Sequence, residues 1–222
     1  MVFLLALAAG AGCGQLGTDL DQVVALDVLL PDSGQLELGD TLHPEARALN
    51  GRGDSVAAQI FWSSLDTAII VVDSATGATF GKATGTGRLQ ARFGSLRSNA
   101  QSVLVLARLD SVTAAGPMRD TVIVSTPDTL SDSLLVKVWT GATGASSRSV
   151  VYERTIYPAG ATNVTLVPTG PAQTDASGIA ARQLRLDPGP LPDSVVVTAT
   201  VRRPNGTAVP GSPVTFVVEF QP

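Results

Sequence analysis

Short runs of β-branched and apolar residues, separated by turn-forming residues, recur along this chain from residue 23 onward. Val, Ile, Leu, Thr and Ala dominate the runs. Gly, Pro, Asp and Ser separate them at intervals of about 8 to 12 residues, a spacing typical of sandwiches and barrels. Turns recur too often to accommodate the helices of βαβ units, and no long helical period is present. The pattern predicts an all-β fold of antiparallel sandwiches.

The predicted strands form two series, separated by the looser segment RLDSVTAAGP. We expect a linker over residues 108–118, between a first domain at 23–107 and a second at 119–222. A chain of 222 residues is long enough for two small sandwiches. The predicted strands span residues 23–30, 41–49, 59–63, 67–72, 78–83, 87–93 and 102–107, and then 121–125, 134–140, 149–157, 164–167, 179–186, 194–201 and 214–220.

Alternation of apolar and other residues is clearest in the last two runs, where one face of each is apolar. Such faces belong against an opposing sheet. We therefore expect Val197 and Phe216 to be core residues. The two faces comprise Val195, Val197, Ala199 and Val201 in one run, and Val214, Phe216, Val218 and Phe220 in the other.

The composition argues against most familiar catalysts. One cysteine and one histidine provide neither an internal disulfide nor a Cys-rich or paired-His metal site, and no cofactor is expected. His43 has no nucleophile-elbow, P-loop or zinc-protease motif around it. A net charge of −4 gives no electrostatic reason to bind nucleic acid. We expect a protein that is not an enzyme.

An apolar run, MVFLLALAAGAG, precedes Cys13 and gives way to polar residues. It is too short for a membrane helix, which needs about 20 residues, but suits the apolar region of a signal peptide. The small residues before Cys13 resemble the lipobox of bacterial lipoproteins. That resemblance implies cleavage before Cys13 and lipid attachment to it.

The lipobox resemblance implies a signal peptide at residues 1–12, a lipidated tether at 13–22 and a membrane anchor through lipid. It places the protein in the bacterial cell envelope, at the outer membrane, on its periplasmic or surface side. Gly10 stands where the family usually has leucine, and the first basic residue is Arg47. Because signal peptides normally begin with basic residues, we expect the true start to lie upstream.

The first half resembles the bacterial Ig-like group 2 domain. The family's turn, tryptophan strand and glycine-rich strands occur here in order as LELGDT, FWSSLD and GATFGKATGTGRLQA. The resemblance implies an immunoglobulin-like sandwich with Trp62 in its core. A large aromatic residue on a central strand is suited to filling the space between sheets.

The second half resembles the group 1 bacterial Ig-like domains associated with invasin and intimin-type proteins. The similarity lies in TDASGIAARQLRL and in NGTAVPGSPVTFVVEF. We expect residues 134–157 to form the first hairpin of this domain, with GATGASS as its turn. The terminal segment is either the last strand of the second sandwich, which we prefer, or the start of a further repeat. The fold class predicted is thus two tandem immunoglobulin-like antiparallel β-sandwiches.

Three groups of residues are candidates for binding or chemistry. Arg52, Gly53 and Asp54 form the tripeptide associated with integrin recognition. The surrounding residues, NGRGDS, are equally typical of an ordinary hairpin connection. Carboxylate pairs lie in turn-like contexts, where they ordinarily accept backbone hydrogen bonds in solvent. The pairs are Asp19 with Asp21, Glu37 with Asp40, and Asp128 with Asp132; the aromatic candidates for a sugar platform are Trp62, Trp139, Tyr152 and Tyr157.

The leading functional hypothesis is a non-catalytic envelope lipoprotein whose Ig-like domains act as a spacer or an adhesion module. Its expected partners are the membrane, through the anchor, and a cell-surface polysaccharide or protein. Two alternatives are a carbohydrate-binding envelope protein, requiring an exposed aromatic strip, and a fragment of a larger adhesin. An accessory hydrolase would instead require two carboxylates at glycosidase spacing.

Overall fold

The computed structural model describes residues 20–124, 129–159 and 161–222. These residues form strands and connecting turns, with one three-residue 3-10 turn at Asp32–Gly34. The strands are β1 (Val23–Leu29), β2 (Gln35–Glu37), β3 (Thr41–Leu42), β4 (Glu45–Asn50), β5 (Ser55–Val56), β6 (Phe61–Ser64), β7 (Ile70–Val72), β8 (Thr79–Gly81), β9 (Gly85–Phe93), β10 (Leu96–Arg97), β11 (Gln101–Leu106), β12 (Ser111–Ala114), β13 (Arg119–Ile123), β14 (Leu134–Thr140), β15 (Thr143–Gly144), β16 (Ser149–Tyr157), β17 (Val164–Val167), β18 (Ala172–Gln173), β19 (Ile179–Leu186), β20 (Ser194–Thr200) and β21 (Val214–Gln221).

The first sandwich contains β1 to β11. One sheet has the order β1-β4-β5, and a second has the order β10-β9-β11-β2, with β6 also paired to β9. A small third sheet, β3-β8-β7, completes it. Its hydrophobic core includes Trp62, Ile70, Leu89 and Val103, all buried. Burial of these side chains is the main favourable contribution to the stability of this half.

The second sandwich contains β12 to β21. One sheet has the order β12-β14-β19-β17, with β15 paired to β14, and the facing sheet has the order β13-β21-β20-β16-β18. Val197 and Phe216 are fully buried in its core. Period-2 alternation produces this burial, since every second residue of β20 and β21 points inward.

The prediction of two tandem immunoglobulin-like antiparallel β-sandwiches is confirmed. Each sandwich adds one parallel pair at a sheet edge: β2 with β11 in the first and β13 with β21 in the second. In both, a strand from the beginning of the sandwich therefore lies beside its last strand. The two halves thus share a topological feature that their differing sequences do not reveal.

The predicted strand at 41–49 is divided in the structure. β3 pairs with β8, whereas β4 pairs with β1 and β5 in a different sheet. His43 and Pro44 separate the two strands, and proline has no amide hydrogen with which to continue a ladder. His43 is exposed at this break.

The predicted hairpin over residues 134–157 is wrong. β14 pairs with β12, β15 and β19, whereas β16 pairs with β18 and β20 in the facing sheet. The short strand β15 folds back onto the end of β14, after which the chain crosses to the other sheet. Such crossings are typical of Greek-key sandwiches.

The segment expected as a linker contributes to the second sandwich. β12 lies within residues 108–118 and pairs with β14, and Leu109 and Val112 are buried in the second core. Only a few residues therefore connect the last strand of one sandwich with the first strand of the next. The terminal segment follows the preferred alternative, because β21 pairs with β20 and β13 inside the second sandwich.

Candidate functional site

The loop between β4 and β5 carries the Arg52-Gly53-Asp54 tripeptide. The side-chain oxygen of Asn50 accepts hydrogen bonds from the backbone N–H groups of Arg52 and Asp54, both at 2.9 Å. The N–H of Asn50 also donates to the carbonyl of Asp54 at 3.0 Å. Gly53 has a φ of +85°, which favours glycine. Asn50 and Gly53 therefore fix the shape of the loop.

All three residues of the tripeptide are exposed. Arg52 Nη1 lies 2.7 Å from a carboxylate oxygen of Asp21, and both side chains are more than half exposed, at 55% and 71%. An ion pair this exposed contributes little to stability and is weakened by salt. The loop thus presents a cation and a carboxylate to solvent on a defined backbone.

The four aromatic candidates lie in different environments. Trp62 and Tyr152 are buried, and the hydroxyl of Tyr152 donates to backbone carbonyls in the second core. Trp139 is half-buried, and Lys137 Nζ lies 4.0 Å from the centre of its ring. Tyr157 is exposed on the facing sheet. These residues therefore form no common platform for a sugar ring.

Glu37 occupies a site that its turn-like sequence context did not indicate. The expectation of a solvated carboxylate is wrong for this residue, which is 0% exposed. Its neighbour Leu36 packs in the first core, and because strand side chains alternate, Glu37 points away from that core. The second sandwich covers it. Glu37 is therefore the centre of the junction between the two sandwiches.

Hydrogen bonds from the connecting segment and from a loop of the second sandwich converge on one oxygen of Glu37. Oε2 accepts from the N–H of Leu109 at 3.2 Å and from Nε of Arg203 at 3.1 Å. Oε1 lies 3.8 Å from Nη1 of Arg148 and has no hydrogen-bond partner among the described residues. Each carboxylate oxygen thus faces a different arginine.

Both arginines also bond to the backbone of the connection between the sandwiches. Nη2 of Arg203 donates to the carbonyl of Leu109 at 2.8 Å, and Nη2 of Arg148 donates to the carbonyl of Ala107. At the rim, Asp40 accepts from Arg108 at 3.5 Å and from Asn205 at 3.4 Å. The junction is therefore a polar network that links β2, the connecting segment and two loops of the second sandwich.

Burial and the neighbouring charges act in opposite directions on the pKa values at this junction. Loss of solvation raises the pKa of Glu37, although the Leu109 N–H, Arg148 and Arg203 all favour the carboxylate. Loss of solvation also lowers the pKa of Arg148, against the attraction of Glu37. Both charges therefore carry a desolvation cost, as expected for buried ion pairs. The hydrogen bonds that they accept and donate give the junction its geometry.

This network could not be located from the amino-acid sequence. Glu37 and Arg203 are 166 positions apart, and nothing in the LELGDT turn around Glu37 indicates a partner so distant in the sequence. Cys13 and the carboxylates of Asp19 and Asp128 lie outside the described residues. Over residues 20–124, 129–159 and 161–222, no three His, Cys, Asp or Glu side chains gather as a metal site requires. No helix within these ranges is long and apolar enough to cross a membrane.

Comparisons with known proteins find similar solved structures only. No family model and no curated protein matches the chain. The adhesin InvE of Yersinia pseudotuberculosis is 17% identical, with a TM-score of 0.43, over 89% of this chain and 60% of that one. The Escherichia coli adhesin FdeC is 15% identical, with a TM-score of 0.38, over 91% and 66%. Domains 4 and 5 of the S-layer protein SbsC are 14% identical, with a TM-score of 0.37, over 90% and 100%.

The chain spans about 60% of the InvE structure and 66% of the FdeC structure. At these identities and TM-scores, the likeness carries no argument about ligand or activity.

Proposed function

We propose that this chain is a non-catalytic spacer and adhesion module of the bacterial cell envelope. Its lipid anchor is Cys13, its tether is residues 13–22, and its two sandwiches hold binding loops away from the membrane. The first sandwich belongs to the group 2 bacterial Ig-like class in this proposal, and the second resembles group 1. A rigid scaffold with variable loops is a common basis for binding.

The buried junction is the observation that supports the spacer role. A flexible pair of domains would leave solvated residues between them, whereas Glu37, Arg148 and Arg203 are 0%, 8% and 14% exposed in their side chains. Interdomain hydrogen bonds that are shielded from water resist bending better than exposed ion pairs do. Two sandwiches fixed in this way move as one rigid body.

The anchor is tested by expressing the full chain, preceded by the basic n-region of a lipoprotein signal peptide, in a bacterium that processes lipoproteins. The expected product begins at Cys13, carries acyl mass and sediments with membranes. Cys13→Ala is expected to move the protein to the aqueous fraction without changing its β-rich circular dichroism, because anchor and sandwiches are separate. A Cys13→Ala variant that stays with membranes would contradict the lipoprotein proposal.

Cell adhesion through the Arg52-Gly53-Asp54 loop is the second candidate function. It is favoured by the exposure of the three residues and by the hydrogen bonds that Asn50 Oδ1 accepts from the backbone N–H groups of Arg52 and Asp54. Cells bearing integrins are expected to attach to the immobilised protein and to detach from Asp54→Glu, which lengthens the carboxylate arm. Asp193→Glu, on an exposed aspartate of the second sandwich, is the matched control. Equal attachment to both variants would remove this function.

A further inference from the structure

A cleft opens beside the junction and is lined by both sandwiches. Its volume is about 270 Å³, near the lower end of the range for small-molecule sites. Gln35 and Leu106 contribute from the first sandwich, and the remaining lining comes from the second. That remainder comprises Ser147, Arg148, Ser149, Gln173, Arg202, Arg203 and Pro204.

The cleft is positively charged in a chain whose net charge is −4. Three arginines line it, and no carboxylate does. Glu37, which lies behind Arg148 and Arg203, balances one of these three charges. The local excess of positive charge therefore opposes that of the whole molecule, and a cleft concentrates the resulting field.

The arginines are held in place before any ligand arrives. Arg203 uses Nε and Nη2 on Glu37 and Leu109, and Arg148 is fixed to Ala107 and Glu37. Their rotamer freedom is therefore already restricted, which lowers the entropy cost of binding. Arg202 is exposed and uses Nη1 on the carbonyl of Gly206. The other two guanidinium nitrogens of Arg202 donate no hydrogen bond to any of the described residues.

Neutral groups surround the charged ones. The side chains of Gln35, Gln173 and Ser149 make no hydrogen bond within the part of the chain that the structure describes, and they offer amide and hydroxyl groups to the cleft. Leu106 and Pro204 add apolar surface. Such a mixture suits a ligand with one negative charge, several hydroxyl groups and an apolar ring face.

We infer that this cleft binds a carboxylate-bearing sugar unit of an acidic polysaccharide. Arg202 and Arg203 hold the carboxylate, and the glutamine and serine side chains bond to the sugar hydroxyl groups. Long nucleic acid would be repelled by the negative charge of the rest of the molecule. The inference deepens and rests on the proposed role as an envelope binding module, because it names the chemistry of its partner.

The test is calorimetric titration of the full Cys13→Ala chain with trigalacturonate in low salt. Binding is expected, and it weakens as NaCl is added because the attraction is screened. Arg202→Gln should lower the affinity about tenfold or more, the effect of losing one charge-assisted hydrogen bond. Arg119→Gln, on an arginine 79% exposed in another part of the second sandwich, is the matched control and should leave the affinity unchanged.

Three further titrations separate the possible ligands. Maltotriose, which is neutral, should not bind, while sulfate and triglutamate should bind at least tenfold more weakly than trigalacturonate. Equal affinity for sulfate or triglutamate would overturn the sugar assignment. Absence of trigalacturonate binding, or equal affinity of Arg202→Gln, would overturn the site itself. None of these outcomes depends on the anchor, so a soluble protein that binds would leave this inference standing while the envelope proposal fails.

Discussion

Glu37 shows at the scale of one residue how the two halves are connected. Its oxygen Oε2 is the acceptor for Leu109 N–H and Arg203 Nε–H, and both bonds are shielded from solvent. Because burial raises the pKa of Glu37, ionisation of this carboxyl group is less favourable in the folded protein than in the unfolded chain. The role of this side chain is therefore mainly that of a hydrogen-bond acceptor in a fixed place.

Two substitutions of Glu37 distinguish its role as a hydrogen-bond acceptor from the effect of its negative charge. Glu37→Ala leaves buried donors unsatisfied and opens a cavity, so we expect a loss of about 3 kcal/mol in the free energy of unfolding. Glu37→Gln keeps an acceptor but leaves the charges of Arg148 and Arg203 unbalanced, so it should lower that free energy by about 1 to 2 kcal/mol, less than Glu37→Ala does. Urea denaturation followed by Trp62 and Trp139 fluorescence measures both. Equal losses would contradict the acceptor role.

The same residue has a defined pH dependence. A carboxyl group with a raised pKa in the folded state binds its proton more tightly there than in the unfolded chain. Its contribution to stability is therefore fully present below the ordinary pKa of 4.5 and is lost as the pH rises through the folded value. The stability of wild type relative to Glu37→Gln should fall over that interval. A rise would show that the arginines outweigh desolvation.

Gly77 is a second residue whose identity follows from its neighbours. It has a φ of +78°, and a Cβ added there would lie 2.7 Å from the indole of Trp62. Gly77→Ala should therefore cost about 3 kcal/mol, from the left-handed backbone and from overpacking together. Gly53→Ala is the matched control, because its φ is +85° with no atom within 4 Å of the added Cβ. It should cost about 1 kcal/mol, and equal urea midpoints for the two variants would contradict the packing argument.

At the scale of strands and turns, the turn before β19 is stabilised by one carboxylate. Asp175 accepts from Ser177 N–H at 2.8 Å, Ser177 Oγ at 2.7 Å and Ile179 N–H at 2.9 Å. These bonds favour the ionised form and lower the pKa of Asp175. Its contribution to stability is present above the ordinary value of 3.8 and is lost as the pH falls through the folded value.

Asp175→Asn tests this contribution, whose dependence on pH is opposite to that of Glu37. The variant should be less stable than wild type near neutral pH, and the difference should disappear on acidification below the folded pKa. Asp73, whose pKa is lowered mainly by hydrogen bonds from Thr76, should behave in the same way in the first sandwich. Urea midpoints measured across the pH range give the stability of Asp175→Asn and of Asp73→Asn relative to wild type. A stability difference that persists in acid would contradict the assignment.

Strand prediction succeeded where apolar alternation was long. β14, β16 and β19 have the bounds that the sequence predicts, because their inward-facing residues alternate over several positions. β17 also has its predicted bounds, although only Val164 of its four residues is buried. The strand β2 was missed, since three residues are too few for a period to appear. β12 was also missed because Thr, Ala and Gly around it give the composition of a connection. Both β2 and β12 are strands because they pair with strands that lie far away in the sequence.

At the scale of the whole molecule, the sequence indicated the parts but not their connection. The exposed loop at Arg52 could be found from its glycines, because turn chemistry is local. The junction could not be found, because its residues meet only after both sandwiches have folded. A carboxylate in QLELGD has the appearance of any turn residue until the second sandwich covers it.

The rigidity of the connection is the central claim, and one distance measurement tests it most directly. Spin labels on Ser95→Cys and Thr155→Cys, both exposed positions, place one probe on each sandwich once Cys13 is changed to serine. Double electron–electron resonance on the full chain should give one narrow distance distribution. The distribution should stay narrow in Glu37→Gln and broaden in Glu37→Ala. A broad distribution in the protein with Glu37 intact would contradict the rigid spacer.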